Sequence, residues 1–205
     1  MAYVLGFFAA DGYITVNRRG GQFWCIQIVD KTLLMQIKKN IGSDHKISER
    51  NRGGNESTIY RLQIGSIEMC DDLRKLGFTE RKTKSLAVPN VPGEYLGSFT
   101  RGYFDGDGNI WLGYLHKERG VPTLSLHVAF TSGSGDFLST LQLRLREIGV
   151  HGGSLVRPKE NYHRLQYGLR DSLKLYEFMY NGLDTSKLFL KRKKDVFEKY
   201  IRMRL

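Results

Sequence analysis

Cysteine, proline and long apolar runs are scarce in this chain. Only two cysteines, Cys25 and Cys70, stand among 205 residues. They are too few and too far apart for a disulfide framework or a zinc knuckle, and they point to a reducing compartment and a place in the core. The five histidines, at positions 45, 116, 127, 151 and 163, show no zinc-ligand spacing. No segment is apolar over the roughly 18 residues that a membrane span needs. The early apolar run from Val4 to Ala10 ends at Asp11 with no basic segment before it. The sequence therefore reads as neither signal peptide nor anchor, and an intracellular, unsecreted protein is expected. A Gly-rich phosphate loop ending in Gly-Lys-Ser/Thr is missing. Acidic residues are the minority: 21 Asp and Glu against 32 Lys and Arg give a formal charge of +11. A basic surface of that size fits a polyanion as partner, nucleic acid first.

What the chain does have is an internal repeat. Leu5-Gly6-Phe7-Phe8-Ala9-Ala10-Asp11-Gly12-Tyr13-Ile14 is echoed by Arg101-Gly102-Tyr103-Phe104-Asp105-Gly106-Asp107-Gly108-Asn109-Ile110 at a constant offset of 96 residues. Each motif leads into the same succession. Strand-like stretches at 13–17 and 22–29 precede a helical stretch at 31–41; stretches at 109–114 and 123–131 precede a helical one at 136–148. Arg61-Leu62-Gln63-Ile64-Gly65 then matches Arg164-Leu165-Gln166-Tyr167-Gly168, each before another helical stretch, 67–76 and 172–180. Each half reads α-β-β-α-β-β-α, an α+β class built on antiparallel hairpins. The period exceeds the roughly 50 residues of solenoid units, so it marks a domain duplication. Residues 79–93, with Pro89 and Pro92, read as an extended linker, which gives halves at 1–93 and 94–205. Two such halves are expected to pack about a pseudo-two-fold axis, the approximate symmetry of a DNA duplex.

Each motif reads as a helix that stops at its last glycine, with Gly12 and Gly108 where a terminating residue would need positive φ. Gly6 and Ala10 are four apart, as are Gly102 and Gly106, which places the small residues on one face. A face without bulk lets two backbones approach closely. If the two motif helices are partners, Asp11 and Asp107 end side by side. A carboxylate at a helix C-terminus is unfavourable, because unpaired carbonyls already make that end negative. A divalent cation resolves the conflict, with Asp11, Asp107 and the carbonyls of Ala10 and Gly106 as hard oxygen donors. Phe7, Phe8, Tyr103 and Phe104 read as core. Asp105, Asp107 and Asn109 imitate the start of a calcium loop, but Ile110 and His116 break its later positions.

The paired motifs resemble those of the LAGLIDADG homing endonucleases in the single-chain form with two motifs. The resemblance covers essentially the whole chain. It implies two antiparallel saddle-shaped sheets lying in the DNA major groove of a double-stranded target, bound by a monomer. It implies that Asp11 and Asp107 bind catalytic Mg2+, with Mn2+ or Ca2+ able to occupy the same sites, and that cleavage crosses the minor groove and leaves 3′ overhangs. Ala9 departs from the pattern where the second motif has Asp105, at a position that is not a metal ligand in the family. By position, Asp30 and Ser132 resemble the water-ordering pair, and Lys82 and Lys191 the basic pair beside the scissile phosphates. Lys31, Lys84 and Lys193 are alternatives that the sequence does not separate.

A sheet in the major groove reads bases through alternate side chains of one face. In the first half the candidates are Tyr13, Thr15, Asn17, Arg18, Arg19, Gln22, Trp24, Gln27, Lys46, Ser48, Arg50, Arg52, Tyr60, Arg61 and Gln63. In the second they are Asn109, Trp111, Tyr114, His116, Lys117, Arg119, Ser125, His127, Arg157, Lys159, His163, Arg164, Gln166 and Tyr167. Period two sends about half of them to the opposite face, and any of them can serve phosphates instead of bases. Two functions fit the chain: a site-specific DNA endonuclease associated with intron homing, or a non-catalytic nucleic-acid binder on the same scaffold, such as an RNA-splicing maturase or a DNA-binding regulator. An aspartate at both metal positions favours the enzyme. No protein-splicing blocks are visible, which argues against an intein.

Overall fold

The computed structural model describes residues 1–51, 53, 57–80, 85–118, 120–160, 162–181 and 188–204. In chain order these form α1 (Ala2–Asp11), β1 (Gly12–Val16), β2 (Gln22–Ile28), α2 (Lys31–Asn40), β3 (Ile47–Arg50), β4 (Ile59–Gly65) and α3 (Ile67–Lys75). Then follow α4 (Gly93–Asp107), β5 (Gly108–Leu115), β6 (Thr123–Ser132), α5 (Gly135–Glu147), β7 (Ser154–Lys159), β8 (Tyr162–Tyr167), α6 (Leu169–Tyr180) and α7 (Lys191–Arg202). The class is α+β. Both sheets are four-stranded and antiparallel, ordered β1-β2-β4-β3 and β5-β6-β8-β7. Among the described residues no helix is long and apolar enough to cross a membrane.

Two compact units divide the chain, Met1–Gly106 and Asp107–Leu205. The repeat divides at 93/94, whereas the packing divides one helix later, because the second motif helix lies against the first. A Cβ built on Gly6 would stand 2.0 Å from the carbonyl oxygen of Phe99, and one on Gly102 would stand 2.1 Å from that of Tyr3. Real Cβ atoms do not come so close, so the α1–α4 contact exists only because both positions lack a side chain. Around this contact Phe7, Phe8, Phe99, Tyr103 and Phe104 are fully buried.

The expected C-terminal glycine geometry is not what ends α1. Gly12 has φ −87° and ψ 159°, ordinary extended backbone, and neither it nor Gly108 has positive φ. The physical need is space: a Cβ on Gly12 would lie 2.0 Å from the Phe8 ring. That ring stacks on Trp24 at 5.6 Å and meets Phe78 edge-on at 5.4 Å, so Gly12 lets β1 start beneath an aromatic cluster.

In the first sheet, residues facing each other across strands share a side. Ile14, Trp24, Ile26, Leu62 and Ile64 are buried on one side, with Leu33, Leu34 and Ile37 of α2 and Cys70 and Leu73 of α3 in the same core. Asp30 and Ser66 cap α2 and α3 by accepting from the amides of Leu33 and Met69. The second unit repeats this. Leu126, Val128, Phe130, Leu165 and Tyr167 form the buried side, Phe137, Leu138, Leu141 and Leu145 of α5 join the core, and Ser134 caps α5. Beyond the repeated succession lies α7, which buries Lys193, Phe197 and Tyr200 along one stripe.

Gly6→Ala is expected to destabilise the protein by about 1–3 kcal/mol or more, the cost of forcing atoms into a filled contact. Urea unfolding checks it. Unchanged stability would mean that the α1–α4 approach is looser than described.

Candidate metal centre and nucleic-acid interface

Asp11 is the last residue of α1 and is half-buried. Gly106 of α4 stands directly against it. A Cβ there would lie 2.3 Å from Cβ of Ala10 and 3.1 Å from Oδ2 of Asp11. Ala10, Asp11 and the Gly106 backbone thus meet in one corner, beside the Asp11 carboxylate, that any side chain on Gly106 would fill. Asp107 is the next residue along the chain, half-buried, and its carbonyl accepts from Oγ1 of Thr131 at 2.8 Å. Among the described residues no three His, Cys, Asp or Glu side chains form a metal-binding group. A cation held here would rely on backbone carbonyls beside the carboxylates, a donor set suited to hard cations such as Mg2+.

Asp105, the acid that Ala9 replaces in the first motif, has a structural surrounding. It is buried, and its Oδ2 accepts from the Tyr3 hydroxyl at 2.7 Å. Buried Arg101, one turn earlier, lies over the Tyr3 ring at 5.4 Å.

The expected supporting residues fall in different surroundings. The Asp30 carboxylate is engaged as the cap of α2, accepting from the Leu33 amide at 2.9 Å. Ser132 is buried, and its Oγ accepts from the Ser134 amide at 3.0 Å. The residue that caps the second unit's helix as Asp30 caps α2 is Ser134. Lys82, with its alternative Lys84, lies outside the described residues. Lys191 is exposed and ion-paired with Asp195 at 2.6 Å. Lys193 is the buried lysine: 5 % exposed, its Nζ donates to the carbonyl of Gly108, directly after Asp107, at 2.6 Å. An ammonium is buried only where it is hydrogen-bonded or paired. The sequence signal for it was present, since Lys193 precedes Phe197 and Tyr200 at helical spacing on the apolar stripe of α7.

The strand registers sort the expected nucleic-acid contacts. On the outer side of the first sheet, away from the core, lie Tyr13, Thr15, Gln27, Ser48, Arg50, Arg61 and Gln63. Tyr13 stands opposite Cys25 across the strands, and burial raises both the Tyr13 hydroxyl and the Cys25 thiol above their ordinary values. Trp24 leaves the contact set: it is 3 % exposed and stacked on Phe8 in the core. Gln22 and Tyr60 also lie on the core side, and Gln22 accepts from Arg74 at 2.6 Å. Asn17 shapes its own turn, its Oδ1 accepting from the amides of Arg19 and Gly21, with Arg18 and Arg19 exposed there. Lys46 is exposed ahead of β3. Arg52 lies outside the described residues.

On the outer side of the second sheet lie Asn109, Trp111, Ser125, His127, Arg164 and Gln166. Ser125 Oγ and His127 Nε2 are 3.0 Å apart, and the Trp111 ring lies 5.5 Å from that of His127. His163 and Tyr167 point to the core side, where Tyr167 is buried and therefore drops out as a contact; burial raises its hydroxyl pKa. Tyr114 shares the core-side parity at the open end of β5, where it is exposed. His116, Lys117, Arg157 and Lys159 are exposed in or beside hairpin turns. The Arg157 guanidinium donates to the Glu160 carbonyl at 3.0 Å. Arg119 lies outside the described residues.

Residues 1–77 match the family model described as a LAGLIDADG-like domain. Known structures extend the likeness to the whole chain. I-SmaMI gives a TM-score of 0.66 at 15% identity, covering 99% of this chain and 91% of that one. A structure of the homing endonuclease I-DmoI gives 0.62 at 14%, with 92% and 93% covered. The chain carries the LAGLIDADG fold. The LAGLIDADG meganuclease I-AabMI, bound to uncleaved DNA, gives 0.63 at 16%, with 98% of this chain and 88% of that one covered. I-DmoI in complex with DNA and Mn, and with DNA and Ca, has the same fold. In sequence, 113 residues are 31% identical to the DNA-directed RNA polymerase subunit Rpo1C of Methanocaldococcus jannaschii, an alignment over 53% of this chain and 12% of that protein. The chain therefore matches a small fraction of that subunit's length.

Burial raises the thiols of Cys25 and Cys70 above their ordinary value, which keeps them protonated at neutral pH. Below that raised value the reactive thiolate is scarce. In native protein at pH 8, a disulfide reagent is expected to leave both unmodified and to titrate both after denaturation. Rapid modification of either in the native state would contradict the packing described.

Proposed function

We propose that this protein is a site-specific double-stranded DNA endonuclease that hydrolyses phosphodiester bonds with a divalent metal, binding its target as a monomer. The observation that carries the reading is the corner formed by Asp11 against Gly106, with the second motif acid, Asp107, next in the chain. The residues fit a cation: carboxylates and backbone carbonyls, hard oxygens only. Asp11, Asp107 and the carbonyls of Ala10 and Gly106 would hold it, with Mg2+ the expected ion and Mn2+ or Ca2+ able to take its place. When bound, such an ion supplies an activated water and neutralises charge at the scissile phosphate.

The chain's own groups do the rest. The outer sides of the two sheets offer Arg, Gln, Asn, Ser and Thr side chains, the types that read base edges in a major groove. Lys193, rather than Lys191, supplies the fixed positive charge beside the second motif, since it is buried and anchored on Gly108 whereas Lys191 is in solvent. A buried ammonium near a phosphate is weakly screened and stabilises developing charge more than an exposed one. The related nucleases and the net charge of +11 support DNA as the substrate. Cleavage across the minor groove with 3′ overhangs and a role in intron homing belong to the same reading.

Asp11→Asn and Asp107→Asn are each expected to abolish cleavage of a selected duplex in Mg2+ while retaining binding, measured by gel cleavage and mobility shift. A variant that still cuts both strands overturns the ligand assignment. Tight, specific binding by the wild type with no cleavage in Mg2+ or Mn2+ would replace the enzyme with a non-catalytic binder, a maturase or regulator. Lys193→Gln is expected to slow cleavage by about 10²-fold or more, with Lys191→Gln close to wild type. Equal effects of the two would contradict the role given to Lys193.

A further inference from the structure

A cleft of about 870 Å³ opens in the first unit between α2 and the start of β3, away from the outer side of the sheet. Its charged lining consists of Lys31, Lys38, Lys39, Lys46, Asp44 and Glu49. Lys31 is spent internally: it is paired with Glu49 and lies over the Tyr60 ring at 5.1 Å. Lys38, Lys39 and Lys46 make no ion pair among the described residues, which leaves three cations facing Asp44. Two of them, in the last turn of α2, also offset the negative helix end. That accounts for neither Lys46, beyond the turn, nor the concavity that the three share. The rest of the lining combines Thr32, Gln36 and Ser43, polar groups that can meet phosphate oxygens, with Met35, Gly42 and Ile47.

We propose that this cleft holds backbone phosphates of duplex DNA flanking the segment that the first sheet covers. The inference rests on the DNA-binding reading above and extends it to phosphates outside the sheet's footprint. Two observations select this occupant. Three lysines against the single carboxylate of Asp44 leave an excess of positive charge that complements a polyanion. The cleft also borders an edge strand of the sheet: β3 begins directly after Lys46, and Ser48 and Arg50 of β3 lie on the outer side. A duplex crossing the sheet at β3 can carry its backbone onward past Lys46 to the end of α2. The lysines add affinity without base preference, since phosphates carry no sequence.

The test compares wild type with the triple variant Lys38→Gln/Lys39→Gln/Lys46→Gln on two duplexes sharing one selected site. One duplex ends at the site and the other extends a full turn beyond it on both sides. For the long duplex, the slope of log affinity against log salt is expected to fall by about 2–3, near 0.9 for each phosphate that is no longer neutralised. The affinity gained on lengthening the duplex should vanish, the preferred sequence should stay the same, and a circular-dichroism melt should confirm that the variant is folded. An unchanged slope in the folded variant, or an equal fall on the short duplex, would overturn the cleft assignment. Unchanged duplex binding with weakened binding to structured RNA would overturn it in favour of an RNA partner. Failure of the wild type to bind any duplex would remove the DNA-binding reading itself, and this inference with it, an outcome distinct from the other three.

Discussion

The contact on which the first unit depends is the approach of two backbones where Gly6 and Gly102 leave no side chain between them. Phe99 and Tyr3 carbonyls occupy the positions that Cβ atoms would take. Helices that touch through backbone gain packing density but tolerate no added atom. The same closeness recurs one turn on, where Gly106 meets Ala10 and Asp11. The packing contact and the candidate metal corner are therefore one feature seen at successive turns. Glycine at 106 leaves room for both, since a Cβ there would lie 3.1 Å from the Asp11 carboxylate oxygen.

Much of the fold was legible from periodicity. Alternation in residues such as Tyr13, Ile14, Thr15 and Val16 marked strands, and helical spacing over 31–41 placed α2 within a residue of its observed bounds, Lys31–Asn40. Period two decides which side chains share a face, but not which face looks inward. Trp24 shows the consequence. Its type suits either a core or a DNA surface, and only its stacking on Phe8 settles the matter. Gly12 shows another limit: a glycine after a helix has more than one physical use, and here it yields to a neighbouring ring rather than to a positive φ.

The candidate site was legible where a residue's position follows from a repeated motif: Asp11 and Asp107 each close a motif helix, as expected. It was less legible where a role depends on which way a long side chain turns. Lys191 and Lys193 sit two apart in a basic run, and composition treats them alike. The apolar stripe of α7 separates them, carrying Lys193 inward toward the Gly108 carbonyl and leaving Lys191 beside Asp195 in solvent. Asp30 and Ser132 were expected to play matching roles by counting from the strands. Helix capping instead matches Asp30 with Ser134, because the strand expected to end at 29 ends at Ile28 and the one expected to end at 131 runs on to Ser132.

The central claim is that oxygen atoms at the ends of the motif helices form a place for a divalent cation. Crystals of the protein with Mn2+ test it most directly through anomalous scattering at the manganese edge. A peak within coordination distance of the Asp11 carboxylate and the Gly106 carbonyl is the predicted result. A well-ordered Asp11 with no peak beside it, at metal concentrations that saturate binding in solution, would contradict the account.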